Sequence, residues 1–179
     1  MSRIGKLPIT LPANVTVKVE GNNHIIVSGP LGSLERDINP RMEVKVEGTT
    51  VTVAPKSSDS GLKAIFGLTR QLINNMVIGV SKGYSKTLNI NGVGYKVTQN
   101  GADLTLNIGY SHPVELKAIP GIKLSCDKTQ IIVSGINKEL VGQFAANVRD
   151  IKPVEPYHAY GISYADEVIV RKEVKSGKK

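Results

Sequence analysis

The chain has 179 residues, 40% of them hydrophobic, which is enough for one packed domain or two small ones and excludes a disordered chain. Lysine and arginine total 23 against 15 acidic residues, and this surplus of +8 favours a polyanionic partner, either nucleic acid or an anionic membrane. Cys126 is the single cysteine, so an intrachain disulfide is excluded and a reducing compartment is expected.

Targeting and membrane signals are sparse. No apolar run follows the positive charges of Arg3 and Lys6, which argues against a secretory signal peptide. No stretch approaches the roughly 18 apolar residues of a membrane span, and the basic C-terminal tail lacks an apolar anchor. We therefore expect a cytosolic protein without a membrane partner.

The first half of the chain predicts short strands followed by one helix. Apolar and polar residues alternate from Val15 to Val19, the period of a half-buried strand. Further strands are predicted at 25–27, 34–38, 44–46 and 51–53. Apolar residues then recur at helical spacing from Leu62 to Val77. One of residues 57–60 is expected to cap this helix, and Gly79 is expected to end it.

The second half repeats this order. Strands are predicted at 95–97, 104–106, 114–116, 122–124 and 131–133. A helix follows with Asn137 as its cap, and Pro153 ends it because proline disfavours the helical conformation at Lys152. The apolar stripe of this helix consists of Leu140, Val141, Phe144, Ala145 and Val148.

Equivalent positions in the two halves keep a near-constant separation. Phe66 and Phe144 lie 78 residues apart, and other apolar positions of the two helices share this offset. The pattern favours a duplication over two unrelated units. We predict an α+β fold of two similar tandem domains, residues 1–82 and 83–179, each a small, mainly antiparallel sheet packed with one helix.

No local pattern supports catalysis or a cofactor. His24, His112 and His158 are scattered, and no cysteine and histidine spacing suits zinc. Cys126 lies between strand-like segments, where a buried structural thiol is expected. The glycines within 91–95 lack the third glycine and the strand–helix context of a nucleotide fingerprint. We predict no enzyme, metal or cofactor; the alternative, an enzyme using Cys126 or His112, predicts loss of an activity on substitution.

The C-terminal region combines a stiff loop with a basic tail. Residues 153–164 contain two prolines and three tyrosines, and from Val168 onward five basic residues face one glutamate, a local charge of +4. Tyrosines can stack on unpaired bases, while lysine and arginine neutralise phosphates. Tyr157 and Tyr160 fit either an RNA contact or a core position, whereas Tyr164 favours the core. The tail fits either RNA binding or a solvated end.

The chain also carries a series of short motifs in a fixed order. These motifs are Ser2–Lys6, Gly29–Gly32, Asn75–Val80, Gly92–Lys96, Leu106–Val114, Val141–Arg149, Glu155–Tyr157, Gly161–Ile162 and Tyr164–Glu167. By these motifs the chain resembles, over its whole length, the bacterial form of large-subunit ribosomal protein six.

This resemblance implies two similar α+β domains that bind large-subunit ribosomal RNA, chiefly through the C-terminal domain. It implies a place on the cytoplasmic ribosome near the stalk base, where translational GTPases dock, beside neighbouring large-subunit proteins. The implied role is a clamp that holds RNA helices together, with no small-molecule substrate. A free RNA-binding translation factor is the alternative, and such a factor would be found off the ribosome.

We assign the expected RNA contacts by residue type. Expected phosphate contacts are Arg149, Lys152, Arg171, Lys172, Lys175, Lys178 and Lys179. Expected sugar or base contacts are Tyr157, His158 and Tyr160. Secondary candidates, which fit tight turns without RNA contact equally well, are Gly92, Gly94, Lys96, Ser111 and His112.

One stretch departs from the family's usual pattern, which resembles Lys-Gly-Lys-Gly-Ile-Arg. At its three basic positions this chain has His158, Tyr160 and Ser163. The loss of three phosphate contacts would release three fewer counterions on binding. We hypothesise that stacking or hydroxyl contacts from Tyr160 and Ser163, together with the tail, replace them.

Overall fold

A computed structural model of the chain describes residues 2–57 and 61–173. They form two compact units, of which the first contains residues up to Tyr84 with Ile136–Lys138, and the second contains Ser85–Gly135 and the residues from Glu139 onward. Small antiparallel sheets and one long helix occur in each half of the chain. The predicted α+β fold with two similar domains is confirmed. Within the described ranges, no helix has the length and apolar character needed to cross a bilayer.

The first unit contains two sheets and a helix. Its elements are β1 Ile9–Thr10, β2 Thr16–Glu20, β3 His24–Gly29, β4 Gly32–Asp37, β5 Met42–Glu47, β6 Thr50–Pro55 and α1 Leu62–Ser81. One sheet has the order β2-β3-β4 and the other β1-β6-β5, all with antiparallel neighbours. Helix α1 packs on β3 and β6. Alternate strand residues such as Ile25, Val27 and Val51 are fully buried, and each such side chain stabilises the core by roughly 1.5–3 kcal/mol.

The C-terminal end of α1 differs from the prediction, whereas three of the four predicted caps at its start, residues 58–60, lie outside the described ranges. Gly61 is the N-cap residue. The helix continues past Gly79 to Ser81, and Gly83 takes the left-handed position with φ of 77°. Its N–H donates to the carbonyl oxygens at the helix end. Gly79 lies inside the helix, and glycine is required there because a Cβ would collide with the carbonyl oxygen of Ile136, a residue of the same unit.

The remaining elements repeat the arrangement and add one strand. They are β7 Tyr84–Asn91, β8 Lys96–Asn100, β9 Asp103–Asn107, β10 Val114–Leu116, β11 Ile122–Asp127, β12 Gln130–Gly135, α2 Lys138–Ile151 and β13 Gly161–Tyr164. Their sheets have the orders β10-β9-β8 and β11-β12-β7-β13. A backbone hydrogen bond of 2.8 Å from Leu11 N to Thr49 O has its counterpart, also of 2.8 Å, from Ile90 N to Thr129 O. The repeat therefore extends to individual hydrogen bonds.

Strands β7 and β13 correct the sequence prediction. No strand is predicted at 84–91, and residues 153–164 are predicted as one loop, yet β13 pairs with β7 with Ile162 opposite Ile90. Ile162 and Ser163 are 0% and 3% exposed. The hypothesis that the Ser163 hydroxyl contacts RNA is wrong in this fold, because that side chain is buried.

Helix α2 follows its predicted pattern with one exception. Val141, Phe144, Ala145 and Val148 are buried, whereas Leu140 is 43% exposed and does not belong to the buried stripe. The helix ends at Ile151, as the proline two residues later predicts. The end of α2 therefore delivers the chain directly into the loop that leads to β13.

Candidate nucleic-acid interface

Lys152, the first residue after α2, lies against two tyrosine rings. Its Nζ atom is 5.6 Å from the ring centroid of Tyr95 and 4.6 Å from that of Tyr110. The Tyr110 hydroxyl donates a 2.7 Å hydrogen bond to the carbonyl oxygen of Ile151, which fixes this ring at the helix end. The Tyr110 ring also stacks on His112, with centroids 6.5 Å apart and an interplanar angle of 20°. Cation–π contacts of this kind hold an ammonium group in place while leaving its charge intact.

The loops that carry these rings depend on glycine. Gly94 has φ of 76° and Gly109 has φ of 78°, conformations that side chains rarely adopt. A Cβ at Gly92 would collide with the Tyr95 ring, and one at Gly109 would lie 3.2 Å from it. The tight turns therefore explain why glycine occupies positions 92 and 94, and no RNA contact is needed to explain it.

The other secondary candidates, Ser111, His112 and Lys96, are all exposed. Ser111 and His112 are exposed in the loop between β9 and β10. Lys96 is exposed at the start of β8, opposite Asn107. Tyr95 and Tyr110 were not predicted as site residues, and their position directly after or within glycine-containing loops is the signal that could have identified them.

Loop 153–160 presents three exposed rings, those of Tyr157, His158 and Tyr160. Tyr157 is 48% exposed and Tyr160 is 39% exposed, so the core interpretation of both residues is wrong. The rings of His158 and Tyr160 stack with centroids 5.3 Å apart and planes 18° apart. Tyr164, on β13, is half-buried as expected.

The base of this loop is fastened to the end of α2. Ile162 N donates to the carbonyl oxygen of Lys152 over 2.8 Å, and Pro153 forms a parallel bridge with Ile162. Gly161 has φ of 139°, and a Cβ there would lie 2.7–2.9 Å from backbone atoms of Lys152, Pro153 and Val154. A glycine is therefore required where the loop returns past the helix end.

Arg149 is engaged in an ion pair within the second unit. Its Nε atom donates to Oε2 of Glu167 over 3.0 Å, and a second guanidinium nitrogen donates to Oε1. The same carboxylate accepts a 3.1 Å hydrogen bond from the backbone N–H of Tyr164, and the guanidinium lies 5.8 Å from the ring of Tyr164. Arg149 is thus placed to hold the segment after β13 against α2.

The ion pair predicts an acid-dependent loss of stability. The hydrogen bond from Arg149 lowers the pKa of Glu167, so its stabilising effect is present above 4.5, the ordinary pKa, and is lost as pH falls through the depressed value. We expect Glu167→Gln to reduce the free energy of unfolding at pH 7 by about 1 kcal/mol and to weaken the decline below pH 4.5. Urea unfolding at several pH values measures both effects. The same substitution at exposed Glu115 controls for the lost charge, and equal results for the two variants would contradict the prediction.

The basic tail is described only in part. Arg171 and Lys172 are exposed, and Lys172 N donates to the carbonyl oxygen of Pro156 over 2.9 Å. This bond ties the segment after β13 to the loop that carries the exposed rings. The predicted contacts Lys175, Lys178 and Lys179 lie outside the described residues.

The other residues considered for metal binding or catalysis have their own surroundings. Within residues 2–57 and 61–173, no group of three histidine, cysteine or acidic residues could hold a metal. Cys126 is half-buried on β11 opposite Ile131. His24 is hydrogen-bonded to Asp37 over 2.6 Å, and this bond raises the pKa of the imidazole.

Fold and surface together define a duplicated α+β protein whose second unit exposes aromatic rings beside lysine and arginine. The chain matches the family model for ribosomal protein L6 over residues 11–83 and 91–165, and it belongs to that family. It is 52% identical to the large ribosomal subunit protein uL6 of Lachnoclostridium phytofermentans over all of both chains. Identity to the uL6 of Clostridium novyi is 51%, and to that of Staphylococcus epidermidis 50%, each over 99% of this chain and 100% of the relative. The family is structural, so the prediction that the chain is not an enzyme is confirmed.

Proposed function

We propose that the chain is a structural component of the large ribosomal subunit that binds its ribosomal RNA mainly through the second unit. Full-length relatives are named as large-subunit proteins, which supports the assembly. The observation that carries RNA binding is the cluster in which the Lys152 ammonium lies on the rings of Tyr95 and Tyr110. Because the cation is held in place before RNA arrives, a phosphate contact would cost little further ordering.

The geometry favours a clamp over a reader of base sequence. Lys152 offers a charge that suits any phosphate, and the exposed rings of the following loop offer stacking surfaces that accept any base. Arg149 acts in this proposal as a positioning residue, because Glu167 occupies its guanidinium. Binding of this kind holds RNA segments against one another through shape and charge.

The finer location is also part of the proposal and rests on the family resemblance. We place the protein on the cytoplasmic ribosome near the stalk base, beside neighbouring large-subunit proteins and the docking site of translational GTPases. This role includes no membrane and no small-molecule substrate. A translation factor that binds RNA off the ribosome is the competing function.

Co-sedimentation from gently lysed cells, before and after a high-salt wash, tests the assembly. We expect the protein in the large-subunit fraction, with release only at salt concentrations that weaken phosphate contacts. A protein at the top of the gradient, free of ribosomal RNA, would contradict the proposal and favour the factor.

The contribution of Lys152 is tested by Lys152→Gln in salt-dependent binding of the purified protein to large-subunit ribosomal RNA. One lost phosphate contact should make the slope of log affinity against log salt shallower by about 0.7 to 0.9. Lys123→Gln, an exposed lysine on β11, is the matched control. A slope equal to that of the control would show that Lys152 does not contact phosphate.

A further inference from the structure

His158 and Tyr160 form a stacked pair of rings that remains open to solvent. Their centroids are 5.3 Å apart and their planes differ by 18°. The His158 side chain is 64% exposed and Tyr160 is 39% exposed. Because each ring covers one face of the other, the accessible area lies on the outer faces and edges. Aromatic surface exposed in this way can stack with a further planar group.

The pair is held in a closed and hydrogen-bonded loop. Glu155 N donates to the carbonyl oxygen of Tyr160 over 3.0 Å, which closes the loop. One carboxylate oxygen of Glu155 accepts from His158 N over 3.0 Å and lies 3.1 Å from Nδ1 of the same residue. Ala159, between the two rings, is 3% exposed and has φ of 62°. Both rings are therefore positioned before any ligand binds.

The charge beside the rings selects the kind of ligand. The Glu155 carboxylate lies against His158 and would repel a phosphate placed there. In the Lys152 cluster, by contrast, the ammonium lies on the face of Tyr110 and favours an anion. Loop 153–160 thus presents planar aromatic rings beside the Glu155 carboxylate, a combination that suits a nucleobase better than the backbone of a nucleic acid.

We propose that His158 and Tyr160 form a platform on which one unpaired RNA base stacks. This inference rests on the proposed RNA-binding function and assigns loop 153–160 the base contact, leaving phosphate contacts to Lys152 and the tail. Stacking tolerates all four bases, so the platform selects an unpaired nucleotide rather than a sequence. Rings fixed in advance lose little side-chain freedom on binding, which favours affinity.

The test measures binding of the full-length protein to protein-free large-subunit ribosomal RNA over a series of salt concentrations. We expect Tyr160→Ala to weaken binding by about 5- to 100-fold with an unchanged salt slope, because stacking releases no counterions. Tyr160→Phe, which keeps the ring and removes the hydroxyl, is the matched control and should bind like the unaltered protein. His158→Ala should weaken binding in the same direction and serves as the second variant if Tyr160→Ala misfolds.

Base-directed chemical probing of the same complexes gives a second readout. One unpaired nucleotide should lose its protection in Tyr160→Ala while backbone protection elsewhere persists. Unaltered affinity in both alanine variants would overturn the platform, as would an equal loss in Tyr160→Phe, which would assign the contact to the hydroxyl. Failure of the unaltered protein to bind the RNA would instead reject the proposed function.

Discussion

Replacing Gly161 with alanine is expected to destabilise the second unit by about 3–5 kcal/mol. The residue has φ of 139°, and a Cβ would lie 2.7–2.9 Å from three backbone atoms at the end of α2. Both the backbone conformation and the close approach oppose a side chain, and the bond from Ile162 N to Lys152 O would be strained as a result. Urea unfolding measures the stability, and hydrogen exchange of the Ile162 amide reports the local bond.

Gly142→Ala is the matched control for this substitution. Gly142 is exposed on α2, and a Cβ built there meets no described atom within 4 Å apart from its chain neighbours and the backbone of its own helix. Alanine in that position should stabilise the helix by about 0.5–1 kcal/mol. Opposite signs for the two variants are the expected result. Similar stabilities would mean that the segment after α2 moves aside without cost, and the glycine requirement at 161 would be wrong.

Removing the positive charges of the tail is expected to weaken RNA binding by up to about 1000-fold at 0.1 M salt. Five phosphate contacts would also contribute about 3.5 to 4.5 to the salt slope, which should become shallower by that amount. The variant replaces each of five basic residues with glutamine in the full-length chain, and binding to large-subunit ribosomal RNA is measured over a salt series. The substituted residues are Arg171, Lys172, Lys175, Lys178 and Lys179.

A deletion of residues 168–179 distinguishes the effect of the tail's charge from that of its backbone hydrogen bond to loop 153–160. Glutamine at position 172 keeps the backbone N–H that bonds Pro156, whereas the deletion removes it. If the tail acts by charge alone, both variants lose the same affinity and the same slope. A further loss confined to the deletion would assign the tail a second role in holding loop 153–160. An unchanged salt slope in both variants would show that the tail does not contact phosphates and is a solvated end of the chain.

The repeated fold could be predicted because its signals are local. Apolar residues recur with a period of two in a half-buried strand and with a period of 3.6 in a helix. Phe66 of α1 and Phe144 of α2 lie 78 residues apart, an offset that other apolar positions of the two helices share. The proline at 153 likewise predicts the end of α2 at Ile151. Tertiary packing overrode local signals at Gly79, which continues the helix instead of ending it, and at Leu140, which is exposed.

Sequence by itself therefore determined the α+β class, the duplication, the positive surplus and, through its ordered motifs, the family. Only the tertiary structure brought Lys152 onto Tyr95 and Tyr110, which are separated from it by 57 and 42 positions along the chain. It also paired β13 with β7, buried Ser163 and joined Arg149 to Glu167. The physical reason is that net charge and hydrophobic periodicity depend only on the order of residues along the chain. A cation–π contact or an ion pair depends instead on which distant segments the packed core places side by side.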